Sequence, residues 1–264
     1  MAFDWKAKRV LVTGASSGIG AGLAERLASM GAHVGMCARR ESELAEVLAK
    51  CQSLSSDCAM WVCDMAIPEE IDILIEGVLE AFGGVDVLIN NAGIPKRKHI
   101  TKTDQATVEN VMRINFLGPS KLTLALLPQM LERGEGRIVN VSSIAATLSS
   151  PGEAAYDASK AALAVFSEAM AVDLWDTGVK VMVVYPGVVD TPLFELPDND
   201  PLPDSAPPKI TVAEMIDAIL EGIDNDSVEV YAPQWFKDVA VGKAQDPAGF
   251  MAGTANWLRE NKTN

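Results

Sequence analysis

Arg9-Val10-Leu11-Val12-Thr13-Gly14-Ala15-Ser16-Ser17-Gly18-Ile19-Gly20 passes from a short apolar run into a glycine-rich turn and opens a helical stretch over 18–30. A glycine-rich turn between strand and helix can cradle phosphate. Glycines let the backbone approach the anion, and the helix N-terminus offers unpaired N–H groups and a favourable dipole. The spacing is G-x-x-x-G-x-G, not G-x-G-x-x-G. Glycine turns also arise from tight packing, so the turn alone leaves both readings open. The same residues fit G-x-S-x-G over Gly14-Ala15-Ser16-Ser17-Gly18, the elbow that carries a hydrolase nucleophile. That reading needs an acid and then a histidine far downstream. His33 and His99 are the only histidines and come too early, so hydrolysis by such a triad is excluded.

Outward from this turn the chain alternates. Apolar runs expected as strands at 9–12, 33–37, 59–63, 85–89, 137–141, 179–185 and 228–231 are separated by helix-forming stretches at 18–30, 41–52, 68–82, 103–133 and 154–175. Thr211 with Glu214 forms a capping box that opens a further helix through 223, and a tail follows the last strand to 264. The strands are continuously apolar, as a parallel sheet covered on both faces requires. The expected fold is α/β, a doubly wound parallel sheet flanked by helices, in a single domain over 1–264. Ligands of such sheets lie beyond the carboxyl ends of the strands, so the loops there are where chemistry is to be sought.

The chain has 264 residues, 48% of them hydrophobic, enough for a substantial core. Its nearest approach to a membrane helix, 114–131, is interrupted by Gly118, Pro119 and Lys121, and residues 1–9 lack the apolar centre of a signal peptide. A cytoplasmic protein with no membrane partner is expected. The net charge of −14 argues against nucleic acid as a partner and against anionic membrane surfaces. An anionic ligand must therefore be met by local positive groups. Cys37, Cys51, Cys58 and Cys63 form no C-x-x-C pair and are expected as buried thiols. His33 lies in an apolar run and is expected in the core, and two histidines give no basis for a metal site.

Tyr156-Asp157-Ala158-Ser159-Lys160 carries the second signal. Of the three tyrosines, Tyr156 alone has a lysine four residues later, which on a helix shares its face. A cation beside a phenol favours phenolate and pulls its pKa toward the working range. In isolation the pair reads better as a Tyr and a Lys capping an amphipathic stripe.

Taken together, these residues make the chain resemble a compact short-chain dehydrogenase/reductase over almost its full length. The glycine motif at 13–20, Asn90-Asn91-Ala92-Gly93, Asn115, Ser143, Tyr156 with Lys160, and Pro186-Gly187 with Thr191 occur in the family's order. The resemblance implies a Rossmann-like fold and hydride transfer between a nicotinamide cofactor and a small-molecule carbonyl or alcohol. It implies catalytic roles for Asn115, Ser143, Tyr156 and Lys160. Tyr156 would exchange the proton, Lys160 would lower the tyrosine pKa and hold the ribose, and Ser143 rather than Ser142 would hold the substrate oxygen. Asn115, polar within an apolar stretch, is either a helix-bending amide bonded to its own backbone or a relay toward Lys160. Implied cofactor contacts are Gly14, Ser16, Ser17, Gly18, Ile19 and Gly20 at the phosphates, then Arg39, Arg40, Asp64, Met65, Asn91, Ala92 and Gly93 around the adenosine. Tyr156, Lys160, Pro186, Gly187, Val189 and Thr191 follow at the nicotinamide.

NAD-preferring relatives end the second strand on an acidic residue, where this chain has Ala38 followed by Arg39 and Arg40. A guanidinium suits a ribose phosphate, so NADP(H) is favoured, with NAD(H) as the alternative. Ser17 is not the additional basic residue found in some NADP enzymes. The irregular, proline-rich segment after Thr191 is expected as a substrate lid over about 191–225, with Leu193, Phe194 and Leu196 facing Ile144 and Leu148. Substrate contacts are thus expected from Ser143, Ile144, Tyr156, Leu193 and Phe194. Lys96, Arg97, Lys98 and His99 read as a solvated loop or as an attractor of anions. By analogy with relatives, the alanine-rich helix beginning at 154 implies a homodimer or homotetramer. The expected activity is NADP-dependent carbonyl/alcohol interconversion. Alternatives are an NAD-dependent alcohol dehydrogenase of the same fold and a non-catalytic dinucleotide-binding regulator.

Overall fold

All seven expected strands form: β1 (Arg9–Thr13), β2 (His33–Ala38), β3 (Ala59–Val62), β4 (Val87–Asn90), β5 (Gly136–Val141), β6 (Val179–Pro186) and β7 (Glu229–Ala232). The computed structural model describes residues 2–54, 57–195, 199–201 and 207–260. The strands pair in parallel in the order β3-β2-β1-β4-β5-β6-β7. Sheet growth reverses direction between β1 and β4, which opens a crevice above their carboxyl ends.

The two-residue period of each strand divides the core. Val10 and Val12 of β1 face one helical layer, where Leu23 and Leu27 of α1 (Gly18–Ser29), Leu44 of α2 (Glu41–Leu54) and Ile219 of α8 (Val212–Asp224) pack. Leu11 faces the other layer, with Ile71 and Leu74 of α3 (Pro68–Phe82), Leu122 and Leu126 of α5 (Gly118–Arg133) and Met170 of α7 (Ala154–Asp173). Both faces are covered, which explains the continuously apolar strands. The four cysteines are buried free thiols, as expected.

Several expectations change. The stretch 103–133 is not one helix: α4 (Gln105–Met112) passes through a wide turn, Arg113–Leu117, before α5 begins. The Gly118 N–H reaches back five residues to the Arg113 carbonyl. Pro119, lacking an N–H, cannot return an α-type bond to Asn115. Gly118 is required because a Cβ there would lie 2.3 Å from the Met65 carbonyl oxygen. His33 is a half-buried residue at the start of β2, not a core one, with Nε2 3.3 Å from Asp57. The capping box at Thr211 and Glu214 is formed, so 212–224 of the expected lid is a helix of the sheet's own layer. Leu196, Pro197, Asp198, Pro203 and Asp204 of that segment lie outside the described residues. The tail holds two helices, α9 (Phe236–Gln245) and α10 (Pro247–Glu260). A short helix, α6 (Ala145–Leu148), follows β5. Among the described residues no helix is long and apolar enough to cross a membrane, and no cluster of side chains could hold a metal ion.

Candidate active site

The loops after the strands converge on one cavity of about 550 Å³. At its β1 end the glycine turn is shaped first by its own closure. A Cβ on Gly14 would lie 2.8 Å from the Ala92 Cα, and one on Gly20 would lie 2.4 Å from the Gly14 carbonyl oxygen. Gly14 and Gly18 also have left-handed backbones, φ +68 and +56. Gly18 faces Thr191, 3.0 Å from a would-be Cβ, so the segment after β6 closes over the turn. Ser17 caps α1 without a side-chain bond to its N–H groups, which leaves the helix N-terminus facing the cavity beside Ser16, Gly18 and Ile19. An uncapped N-terminus in a glycine cradle fits a dinucleotide's phosphates.

The positive charge missing at Ser17 comes from Arg40. Its Nη2 donates to the Ser16 and Ser17 hydroxyls at 2.9 and 2.7 Å. Arg39 lies 3.6 Å from Asp64, whose Oδ1 accepts from the Ala66 N–H at 2.9 Å. Asp64 is therefore a turn-forming carboxylate and a partner of Arg39. Met65 lines the cavity beside it. The asparagines are architectural: Asn91 Nδ2 donates to the Thr13 carbonyl at 2.9 Å, and Asn90 Nδ2 to Asn140 and Thr123.

At the other end lie Ser143, Tyr156 and Lys160. α7 carries Tyr156 and Lys160 on one face, and the loop after β5 brings Ser143 into the same cavity, where its hydroxyl acts to lower the phenol pKa. Ser142 is otherwise engaged, donating to the Lys160 carbonyl at 2.8 Å. Lys160 is buried, with Nζ donating to the Val141 carbonyl at 2.8 Å and lying 5.9 Å from the Tyr156 ring centre. Burial pulls its pKa down to about 8. The phenol departs from expectation. Burial pushes its pKa well above the usual value; the Ser143 hydrogen bond opposes this, Glu153 and Asp157 reinforce it, and Arg97 opposes it. Here burial and two carboxyls outweigh the cations, so Tyr156 is held protonated.

Asn115 does not bond its own helix backbone as a self-capping amide. Its Oδ1 accepts from the Ile94 N–H at 2.8 Å, and its Nδ2 donates to the Ile94 carbonyl and the Ser159 hydroxyl, both at 3.0 Å. It clamps the loop after β4 to α7. A Cβ on Gly93 would lie 3.2 Å from both Asn115 Oδ1 and Lys160 Nζ, so glycine lets these groups draw together.

Pro186, Gly187, Val189 and Thr191 line the same cavity. The space left by Gly187 is filled by Phe236, 2.7 Å from a would-be Cβ, so this glycine serves packing rather than close approach of a ligand. The bridge between Val189 and Ile210 uses the Asp190 N–H and the Val188 carbonyl, not the main-chain groups of Val189 itself. Ile144, Leu148 and Leu193 supply apolar wall, while the Phe194 and Leu196 side chains lie outside the described part.

Sequence reasoning missed the wall residues that come from the tail. Phe236 comes from α9, and Phe250, Thr254 and Trp257 come from α10 at i, i+4 and i+7, one face of the helix. That spacing was the available signal. It also missed Glu153, and it gave Arg97 only as part of the basic loop at 96–99. Arg97 is 5% exposed and lines the cavity, which removes it from a solvated loop, whereas His99 is exposed.

Residues 8–200 match the short chain dehydrogenase family model. An uncharacterized oxidoreductase of Staphylococcus saprophyticus is 38% identical over 187 residues, 70% of this chain and 80% of that protein. A solved short-chain dehydrogenase from Sphingobium yanoikuyae in complex with NADPH is similar with a TM-score of 0.81 at 28% identity, over 93% of this chain and 95% of its own. One from Burkholderia phymatum in complex with NAD shares the fold, with a TM-score of 0.84 at 24% identity over 92% and 95%.

Proposed function

Because the chain belongs to the short-chain dehydrogenase/reductase family, we propose that it is an NADP-dependent oxidoreductase that interconverts carbonyls and alcohols by hydride transfer, chiefly on substrates with apolar substituents. The observation that carries this reading is the convergence of Tyr156, Ser143 and Lys160 in one cavity with the glycine cradle. A bound nicotinamide supplies or accepts the hydride. Ser143 and Tyr156 bind the carbonyl oxygen, and the protonated phenol donates to it as negative charge develops. A phenol held in its protonated form suits reduction. Lys160 orients the ribose and offsets the phenolate charge, and Asn115 keeps Ile94 and α7 in register. Cofactor choice follows from Arg39 and Arg40, two guanidiniums beside a strand end that lacks a carboxylate. The apolar wall from Ile144, Leu148, Phe236 and Phe250 supports the preference for apolar substituents.

The same reading extends to assembly. Leu117 at the end of the wide turn, Leu124 and Leu131 along α5, and Val165, Val172 and Trp175 along α7 and its end are exposed apolar residues at seven-, or seven- and three-residue, spacing. Two such neighbouring stripes suit a second copy of the chain, as a homodimer or homotetramer.

The test is consumption of NADPH and of NADH with a panel of ketones, aldehydes and quinones. NADPH-dependent turnover with kcat/KM at least about tenfold above NADH is expected. A preference for NADH selects the NAD-dependent alternative. Tight cofactor binding without turnover of any compound selects the non-catalytic regulator.

A further inference from the structure

We propose that Arg97 is a positioning residue that couples the chain segment at Asn199–Asp200 to the proton-donating strength of Tyr156. The inference rests on reading Tyr156 as the proton donor. Arg97 belongs to the one dense basic cluster of an acidic chain, yet it is 5% exposed. Three hydrogen bonds join it to residues a hundred positions away. Its N–H donates to Asn199 Oδ1 at 2.7 Å, its carbonyl accepts from the Asp200 N–H at 2.8 Å, and its Nε donates to the Asp200 carbonyl at 2.8 Å. Its Nη1 points the other way, 3.8 Å from Glu153 Oε1, with the two side chains 6% and 13% exposed. Glu153 caps the start of α7, one helical turn before Tyr156, so the guanidinium reaches the catalytic face of that helix.

The charges around the phenol come from several elements. α7 contributes Glu153, Asp157 and Lys160; the loop after β4 contributes Arg97; the loop after β5 contributes the neutral Ser143. Lys243 of α9 acts on Asp157 and is bonded to the Thr147 carbonyl. Glu153 and Asp157 oppose formation of phenolate, and Arg97 favours it. Arg97 therefore stabilises the charge left on Tyr156 when its proton passes to the substrate oxygen, and it is held in place by the segment after β6.

The test is the single-turnover rate of NADPH oxidation by the full-length enzyme, with cofactor affinity measured on the same samples. Arg97→Met should slow hydride transfer about tenfold, one decade for a one-unit change in donor strength, while cofactor affinity stays near wild type. Arg97→Lys, which restores the charge, should recover most of the rate. Glu153→Gln should quicken the step roughly threefold and move the alkaline limb of its pH profile to lower pH. The double variant Arg97→Met with Glu153→Gln should return close to wild type, because the two changes cancel in charge. A merely structural pin predicts the opposite: the double variant falls below either single variant, Arg97→Lys rescues nothing, and the pH limb stays put. Any of these overturns the proposal. Where Arg97→Met does not fold, an unchanged or slower Glu153→Gln rate overturns it alone. Full turnover by Tyr156→Phe would instead sink the proton-donor reading on which the inference rests.

Discussion

The two ends of the cleft are built differently. Around the glycine turn and the loops after β2, β3 and β4, the cavity is made of backbone: missing Cβ atoms, an uncapped helix N-terminus and asparagines spent on loop carbonyls. Beyond Tyr156 it is made of side chains from 144–151, the segment after β6, α9 and α10. The family match stops at residue 200, so Phe236, Phe250, Thr254 and Trp257 lie past it. The pyrophosphate is common to both dinucleotides found in relatives and can be met by main-chain geometry. A substrate differs and must be met by replaceable side chains.

The largest effect should come from the backbone-built end. Gly20→Ala places a methyl 2.4 Å from the Gly14 carbonyl and 2.5 Å from Asn91 Nδ2, both fixed groups. Cofactor affinity measured by fluorescence titration should fall about a hundredfold or more, equivalent to roughly 3 kcal/mol. An unchanged affinity would show that the turn is softer than its geometry indicates. Next comes Arg40→Ala, which removes the guanidinium from Ser16 and Ser17. NADPH binding should weaken about tenfold while NADH binding moves less than threefold; equal losses would contradict a role in phosphate choice.

At the side-chain end, effects should depend on the substrate. Trp257→Ala together with Phe250→Ala should lower kcat/KM about tenfold for a large apolar ketone, an order expected from lost apolar contact. A small ketone should be unaffected, and a uniform loss would return α10 to a purely structural role. The smallest effect concerns Asp157, whose Oδ1 is buried without a hydrogen bond and whose pKa is pushed up to about 8 by burial and by Glu153. The folded chain keeps this proton where the unfolded chain loses it, so stability declines as pH rises from the ordinary carboxylate range to about 8. Asp157→Asn should raise Tm by a few degrees above pH 8 and leave it unchanged near pH 4, as calorimetry can show.

The same contrast explains what could be read from the sequence. The strands, the cradle and Tyr156 with Lys160 were legible because each is a local pattern of fixed spacing. The wide turn at Arg113–Leu117 was not: it depends on Pro119 lacking an N–H and on Gly118 pressing against Met65, contacts that periodicity does not encode. Arg97 looked like a solvated charge because what buries it, Asn199 and Asp200, lies a hundred residues on. The raised pKa of Tyr156 was hidden for a related reason. A lysine four residues away is visible in sequence, but the burial and the neighbouring Glu153 that raise the phenol pKa belong to the packed site. α10 was passed over as a tail, although Phe250, Thr254 and Trp257 already marked a helical face.

One measurement bears most directly on the central claim that Tyr156 delivers the proton. Single-turnover NADPH oxidation should be followed in wild type and Tyr156→Phe with the same saturating ketone, with cofactor affinity determined alongside. The rate should fall by about two orders of magnitude or more while affinity for NADPH stays within a few-fold. A Tyr156→Phe enzyme that transfers hydride at the wild-type rate would contradict the account.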